Sequence, residues 1–130
     1  MFLLAFIAVI GLTACNDDDE IGVWPLMEWK TDVNMGPENT ISVSAEGGTY
    51  RFTCTNYRVI WLSDIYEDGQ FVYSNSNDNM HVAGKWGSAE AKENELTVVI
   101  SPNETDIHRS VTIATTAGDT FYSFTFNQSN

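Results

Sequence analysis

Acid–base, nucleophilic or metal chemistry in this chain would fall to two histidines, one internal cysteine and a surplus of carboxylates. Their spacing assembles none of these. His81 and His108 stand apart, with no pairing that implies a metal site. A nucleophilic serine would need an elbow of the form G-x-S-x-G, and the chain has none. Paired acids are numerous, but a glycosidase must set two of them across a cleft that a small domain has little room to form. The run Asn75–Asp78 lacks the glycine and the terminal glutamate of a calcium loop. The expectation is a protein that is not an enzyme, with no catalytic residues, no cofactor and no metal. The remaining chemistry is aromatic. Trp24, Trp29, Trp61 and Trp86 could serve as flat apolar anchors, the role in which Trp excels at binding surfaces. Trp61 lies in the apolar run Val59–Ile65 and reads as core. Trp86 lies between Gly84 and Gly87 in a polar stretch and reads as exposed. Tyr66, Tyr73 and Asn79 are its expected companions in a possible ligand-binding surface.

The elements that must position these groups are strands. Apolar residues alternate with polar ones, turn signals recur at short intervals, and no segment carries a helical stripe. The pattern predicts strands at Trp24–Lys30, Thr40–Ser44, Thr49–Thr55, Val59–Ile65, Gln70–Ser74, His81–Trp86, Glu95–Ser101, Ser110–Thr116 and Thr120–Gln128. The stretch Ala89–Glu93 reads as a solvated loop. About seven short strands so spaced indicate an all-β chain folded as an antiparallel sandwich, with a closed barrel as second choice. Tyr50, Phe52 and Cys54 share one strand face, so Cys54 reads as a buried, inert thiol.

The N-terminus carries a different kind of chemistry. An apolar run, Phe2 to Ile10, leads into Leu12-Thr13-Ala14-Cys15, and the acids Asp17, Asp18, Asp19 and Glu20 follow. The apolar run is too short to span a bilayer and suits a secretory signal. The order resembles a bacterial lipoprotein signal, which implies removal of residues 1–14 and lipidation of Cys15. The acids resemble the surface-export mark of Bacteroidetes lipoproteins. The resemblance implies an outer-membrane protein held by lipid and facing the cell exterior, with the periplasmic face as the alternative. Residues 15–23 then form an acidic tether and residues 24–130 one folded domain. The net charge of −12 lies wholly in that tether and domain. It disfavours nucleic acid, whose backbone is polyanionic, and is compatible with neutral glycan partners.

The C-terminal third carries a second resemblance. Leu96-Thr97-Val98-Val99-Ile100, then Asn103, Arg109, Ser110-Val111-Thr112-Ile113, Gly118 and Phe124-Thr125-Phe126-Asn127-Gln128 are similar to the BACON domain, an immunoglobulin-like module of exported Bacteroidetes proteins. Ile41-Ser42-Val43-Ser44, Gly47-Gly48, Phe52, Asn56 and Trp61 fit its start. The resemblance implies an immunoglobulin-like β-sandwich and a role in carbohydrate or mucin binding. Each shared residue also has a structural reading. Arg109 can pair with an acid or cap a turn. Asn103 can bond its own backbone in a turn. Gly47, Gly48 and Gly118 can supply positive φ. Gln128 can satisfy neighbouring backbone groups. The expected function is weak binding of glycan or mucin-type ligands by a lipid-anchored, non-enzymatic domain. The alternative is a structural accessory protein that scaffolds an outer-membrane complex without binding sugar.

Overall fold

The computed structural model describes residues 24–72 and 78–130. Cys15, the acids Asp17, Asp18, Asp19 and Glu20, and Tyr73 lie outside them, as does the expected signal segment. Among the described residues period-two alternation builds ten strands: β1 (Trp29–Lys30), β2 (Thr40–Val43), β3 (Gly48–Cys54), β4 (Trp61–Glu67), β5 (Gln70–Phe71), β6 (His81–Ala83), β7 (Gly87–Lys92), β8 (Glu95–Ile100), β9 (Arg109–Ala117) and β10 (Thr120–Gln128). In β9 burial alternates at every residue, because Val111, Ile113, Thr115 and Ala117 face the core and the residues between them face outward.

The strands form two five-stranded sheets, ordered β1-β3-β8-β7-β6 and β2-β10-β9-β4-β5. Every pairing is antiparallel except β2 with β10, which is parallel. The first sheet repeats the A-B-E-D order of an immunoglobulin domain, with β6 added beyond D. The second contains its G-F-C set. The fold is an immunoglobulin-like antiparallel β-sandwich.

Between the sheets lie Phe52, Leu96, Val98, Ile113, Phe124 and Phe126, all buried. The Trp29 ring meets Phe124 edge-on at 5.0 Å and Phe52 at 6.5 Å. Burying each such ring contributes about 1.5–3 kcal/mol. Cys54 is fully buried in this core, and its thiol donates to Asn56 Oδ1 at 3.5 Å.

Four details depart from the sequence reading. The expected strands at the sheet edges appear as the two- and three-residue pieces β1, β5 and β6, and β7 brings the count among the described residues to ten. Ala89–Glu93 is mostly strand: Ala89 and Ala91 are the buried positions of β7, and alanine is too weakly apolar to make its alternation visible. Trp61 is exposed at the head of β4, because a bulge between Leu62 and Asp64 resets the phase and gives the inward positions to Leu62 and Ile65. Gly48 is not among the positive-φ glycines, whereas Gly47 and Gly118 take φ of 78° and 61° in their turns.

Candidate functional site

The residues that stood out in the sequence converge on one buried corner. Arg109 opens β9 and points inward. Its Nε–H donates to Gln128 Oε1 at 2.9 Å, and a terminal nitrogen donates to the carbonyls of Pro102 at 2.8 Å and Ser101 at 3.2 Å. Its guanidinium lies 4.8 Å above the Trp86 ring, a cation–π contact. Among the described residues no carboxylate reaches ion-pair distance of Arg109. Gln128 Nε2 in turn donates to the carbonyls of Ser101 at 2.8 Å and Ser44 at 3.1 Å. Asn103 Oδ1 accepts the Thr105 N–H at 3.1 Å, and its Nδ2 donates to the carbonyls of Ile107 and Ser129. These roles are structural.

Glu67 completes the corner. It ends β4 facing inward, 6 % exposed. Its carboxylate accepts three backbone N–H groups from the β6–β7 turn: Lys85 at 2.8 Å, Trp86 at 2.7 Å and Gly87 at 3.0 Å. One acid thus ties the two sheets together through charge-assisted bonds. Gly84 is needed there, since a Cβ on it would stand 2.4 Å from the carboxylate oxygen.

The exposed Trp86 that the sequence suggested is therefore corrected. The ring is half-buried with Arg109 over one face, and the residue's backbone is pinned as well: its amide N–H donates to Glu67 and its carbonyl accepts from the Ser101 backbone and hydroxyl. It borders a cavity of about 440 Å³ shared with Phe71, Gln70 and Lys85. Tyr66 faces outward from β4 and meets Phe71 edge-on at 5.8 Å. Asn79 is exposed with φ of 57°, and its carbonyl accepts the Leu62 N–H near the opposite end of β4. Trp86 and Tyr66 flank Phe71; Asn79 does not join them.

The surface that remains available is the outer face of the second sheet. Registers order it into rows. Phe121, Thr116 and Trp61 lie side by side on β10, β9 and β4. Ser123, Ala114 and the bulged Ser63-Asp64 form the next row, and Thr40, Thr125, Thr112, Tyr66 and Phe71 a third. A fourth holds Ser42, Asn127 and Ser110, and Asp68 continues it by accepting the Ser110 N–H on Oδ1 at 2.9 Å. Trp61 is 38 % and Phe121 62 % exposed. The fourth row lines an open groove of about 700 Å³, with Ser44 and His108 at its rim. Among the described outward positions of these strands the charges are Asp64 and Asp68, and there is no Lys or Arg.

Sequence reasoning missed this face. Phe121 was legible: with Tyr122, Phe124 and Phe126 set inward, alternation turns Phe121 outward. Trp61 was hidden by the bulge.

Comparison with family models gives no match, and comparison with curated proteins gives none. Among solved structures, the NMR structure of a protein from Bacteroides thetaiotaomicron is 34 % identical to this chain. The likeness covers 83 % of this chain and 90 % of that one, with a TM-score of 0.74. The atomic-resolution structure of titin domain M7 aligns at 10 % identity, over 82 % of this chain and 97 % of that one, with a TM-score of 0.43.

Proposed function

This chain belongs to the same family as the Bacteroides thetaiotaomicron protein, and from that premise we propose that it is a non-enzymatic, BACON-like domain that binds neutral glycan weakly at the outer face of its second sheet. The observation that carries this reading is the pair Trp61 and Phe121, displayed beside rows of Ser and Thr with Tyr66 and Phe71 at the β4–β5 edge. Rigid rings offer flat apolar area at small entropic cost, and the hydroxyl-bearing side chains beside them match sugar hydroxyls. The surface is open rather than enclosing, so affinity is low. The acid-rich composition and the lack of Lys or Arg among the described outward positions of this sheet turn away anionic ligands.

The domain is held at the outer membrane by lipid on Cys15, with the acids after it directing the protein outward. Several acyl chains make such an anchor stable, each buried methylene adding about 0.8 kcal/mol. Cys15→Ser releases the protein from membranes; retention of that variant in the membrane fraction overturns the anchor.

The glycan site is tested by titrating the domain with neutral oligosaccharides and mucin glycans while following amide shifts and tryptophan fluorescence. Shifts concentrate on β4, β9 and β10, and Trp61→Ala weakens binding at least about tenfold, the order expected for truncating an anchor worth more than 1.4 kcal/mol. Unchanged affinity in Trp61→Ala removes the site.

A further inference from the structure

We infer that the groove beside Ser42, Asn127, Ser110 and Asp68 is a second subsite for the same ligand, so that the ligand is an extended, uncharged oligosaccharide lying along β10 rather than a chain terminus or an acidic sugar. This rests on the glycan reading of the outer face. Three observations carry it.

The groove and the aromatic row share one surface. Six residue steps along β10 separate Phe121 from Asn127, about 20 Å at strand rise. The outward side chains between them are Ser123, Thr125, Thr112 and Ala114, all small. A linear chain can therefore touch both ends without crossing a ridge.

The groove residues are chemically idle within the fold. Among the described residues, the side chains of Ser42, Ser110 and Asn127 make no hydrogen bond, and Asp68 uses only Oδ1. Each lies on an outward strand position or, for Asp68, in the turn after β4. Two hydroxyls, an amide and a carboxylate in one row provide donors and acceptors about 4.8 Å apart, the spacing of neighbouring strands. That array suits the vicinal hydroxyls of a sugar ring.

Charge selects the ligand class. Arg109 lines the groove, but its guanidinium points into the corner, committed to Gln128 and to the Ser101 and Pro102 carbonyls. Asp64 and Asp68 repel carboxylated or sulfated sugars on a chain that already carries a net charge of −12.

The test is a calorimetric titration of the full chain with a ladder of neutral oligosaccharides, from disaccharide to octasaccharide, and with a sialylated oligosaccharide as the anionic probe. The ladder includes cello- and manno-oligosaccharides. Affinity rises with length until both rows are covered. The double variant Ser42→Ala, Asn127→Ala loses about tenfold on the longest members and nothing on the shortest, whereas Trp61→Ala loses on all. Affinity independent of length, or a double variant indistinguishable from wild type while Trp61→Ala still weakens binding, overturns the subsite and leaves the aromatic platform standing. Sialylated probe binding as tightly as the neutral ladder overturns the charge argument. Absence of binding to every probe overturns both the subsite and the platform. Both substituted side chains are outward and unbonded, so an unchanged amide spectrum outside the groove shows that the fold is intact.

Discussion

The Arg109 corner and the outer face of the second sheet stand back to back across β9 and β10, and they use similar residue types to opposite ends. Arg109 and Ser110 are neighbours in sequence; one points into the corner and the other into the groove. In the corner the polar side chains are bonded: Arg109 to Gln128 and two carbonyls, Glu67 to three amides, Asn103 to four groups. On the face, the serines and Asn127 meet solvent. A buried polar group without a partner costs about 1–3 kcal/mol, so the corner had to be completed. No such demand acts on the face. The residues most recognisable in the sequence are thus those the fold consumes, and those it displays are plain Ser, Thr and out-of-phase aromatics.

This contrast can be broken by measurement. The largest effect belongs to Arg109→Ala. It strips partners from Gln128 and from the Ser101 and Pro102 carbonyls and opens space beside Trp86, so urea unfolding shows a loss of about 3–5 kcal/mol. A loss below about 1 kcal/mol contradicts the structural role of the corner. Glu67→Gln comes next. The amide keeps one acceptor but turns a donor toward backbone donors, and stability falls by about 2–3 kcal/mol. Trp61→Ala sharpens the other side of the comparison. Its stability stays within about 0.5 kcal/mol of wild type, so its loss of ligand is a loss of surface and not of fold.

The smallest effect concerns His81, an exposed residue of β6. Its pKa is raised, first by the hydrogen bond to Glu90 (Nε2–Oε2, 2.9 Å) and then by Asp78. A raised folded pKa means that protonation favours the native state. The contribution is full below the unfolded value of about 6.5 and is lost as pH rises through the folded one. His81→Asn removes this slope from a plot of Tm against pH, and the change is slight because exposed pairs contribute little. A large slope here would place an exposed contact on the scale of the corner.

Much of the fold was legible. β8, β9 and β10 fall within a residue or two of their expected bounds, because Leu96, Val98, Ile100, Val111, Ile113, Phe124 and Phe126 alternate strongly. The site was less so, and the reasons are local. Glycines around Trp86 suggested a loose, exposed loop. In the folded chain Gly84 makes room for the Glu67 carboxylate, and a Cβ on Gly87 would stand 2.9 Å from Val111. Glycine there marks tight packing rather than exposure. Trp61 was misplaced because one extra residue in β4 inverts the phase of what precedes it, and a bulge leaves no trace in composition.

The parallel pair β2 with β10, the single one among the described residues, gives the molecule a mechanical character. Four residue pairs, Thr40–Thr125 to Val43–Gln128, hold an early strand beside the last one and run in the same direction. A pull entering at the start of β2 and leaving past the end of β10 loads these bonds along the strand axes. They must yield together in shear rather than open one by one like a zipper.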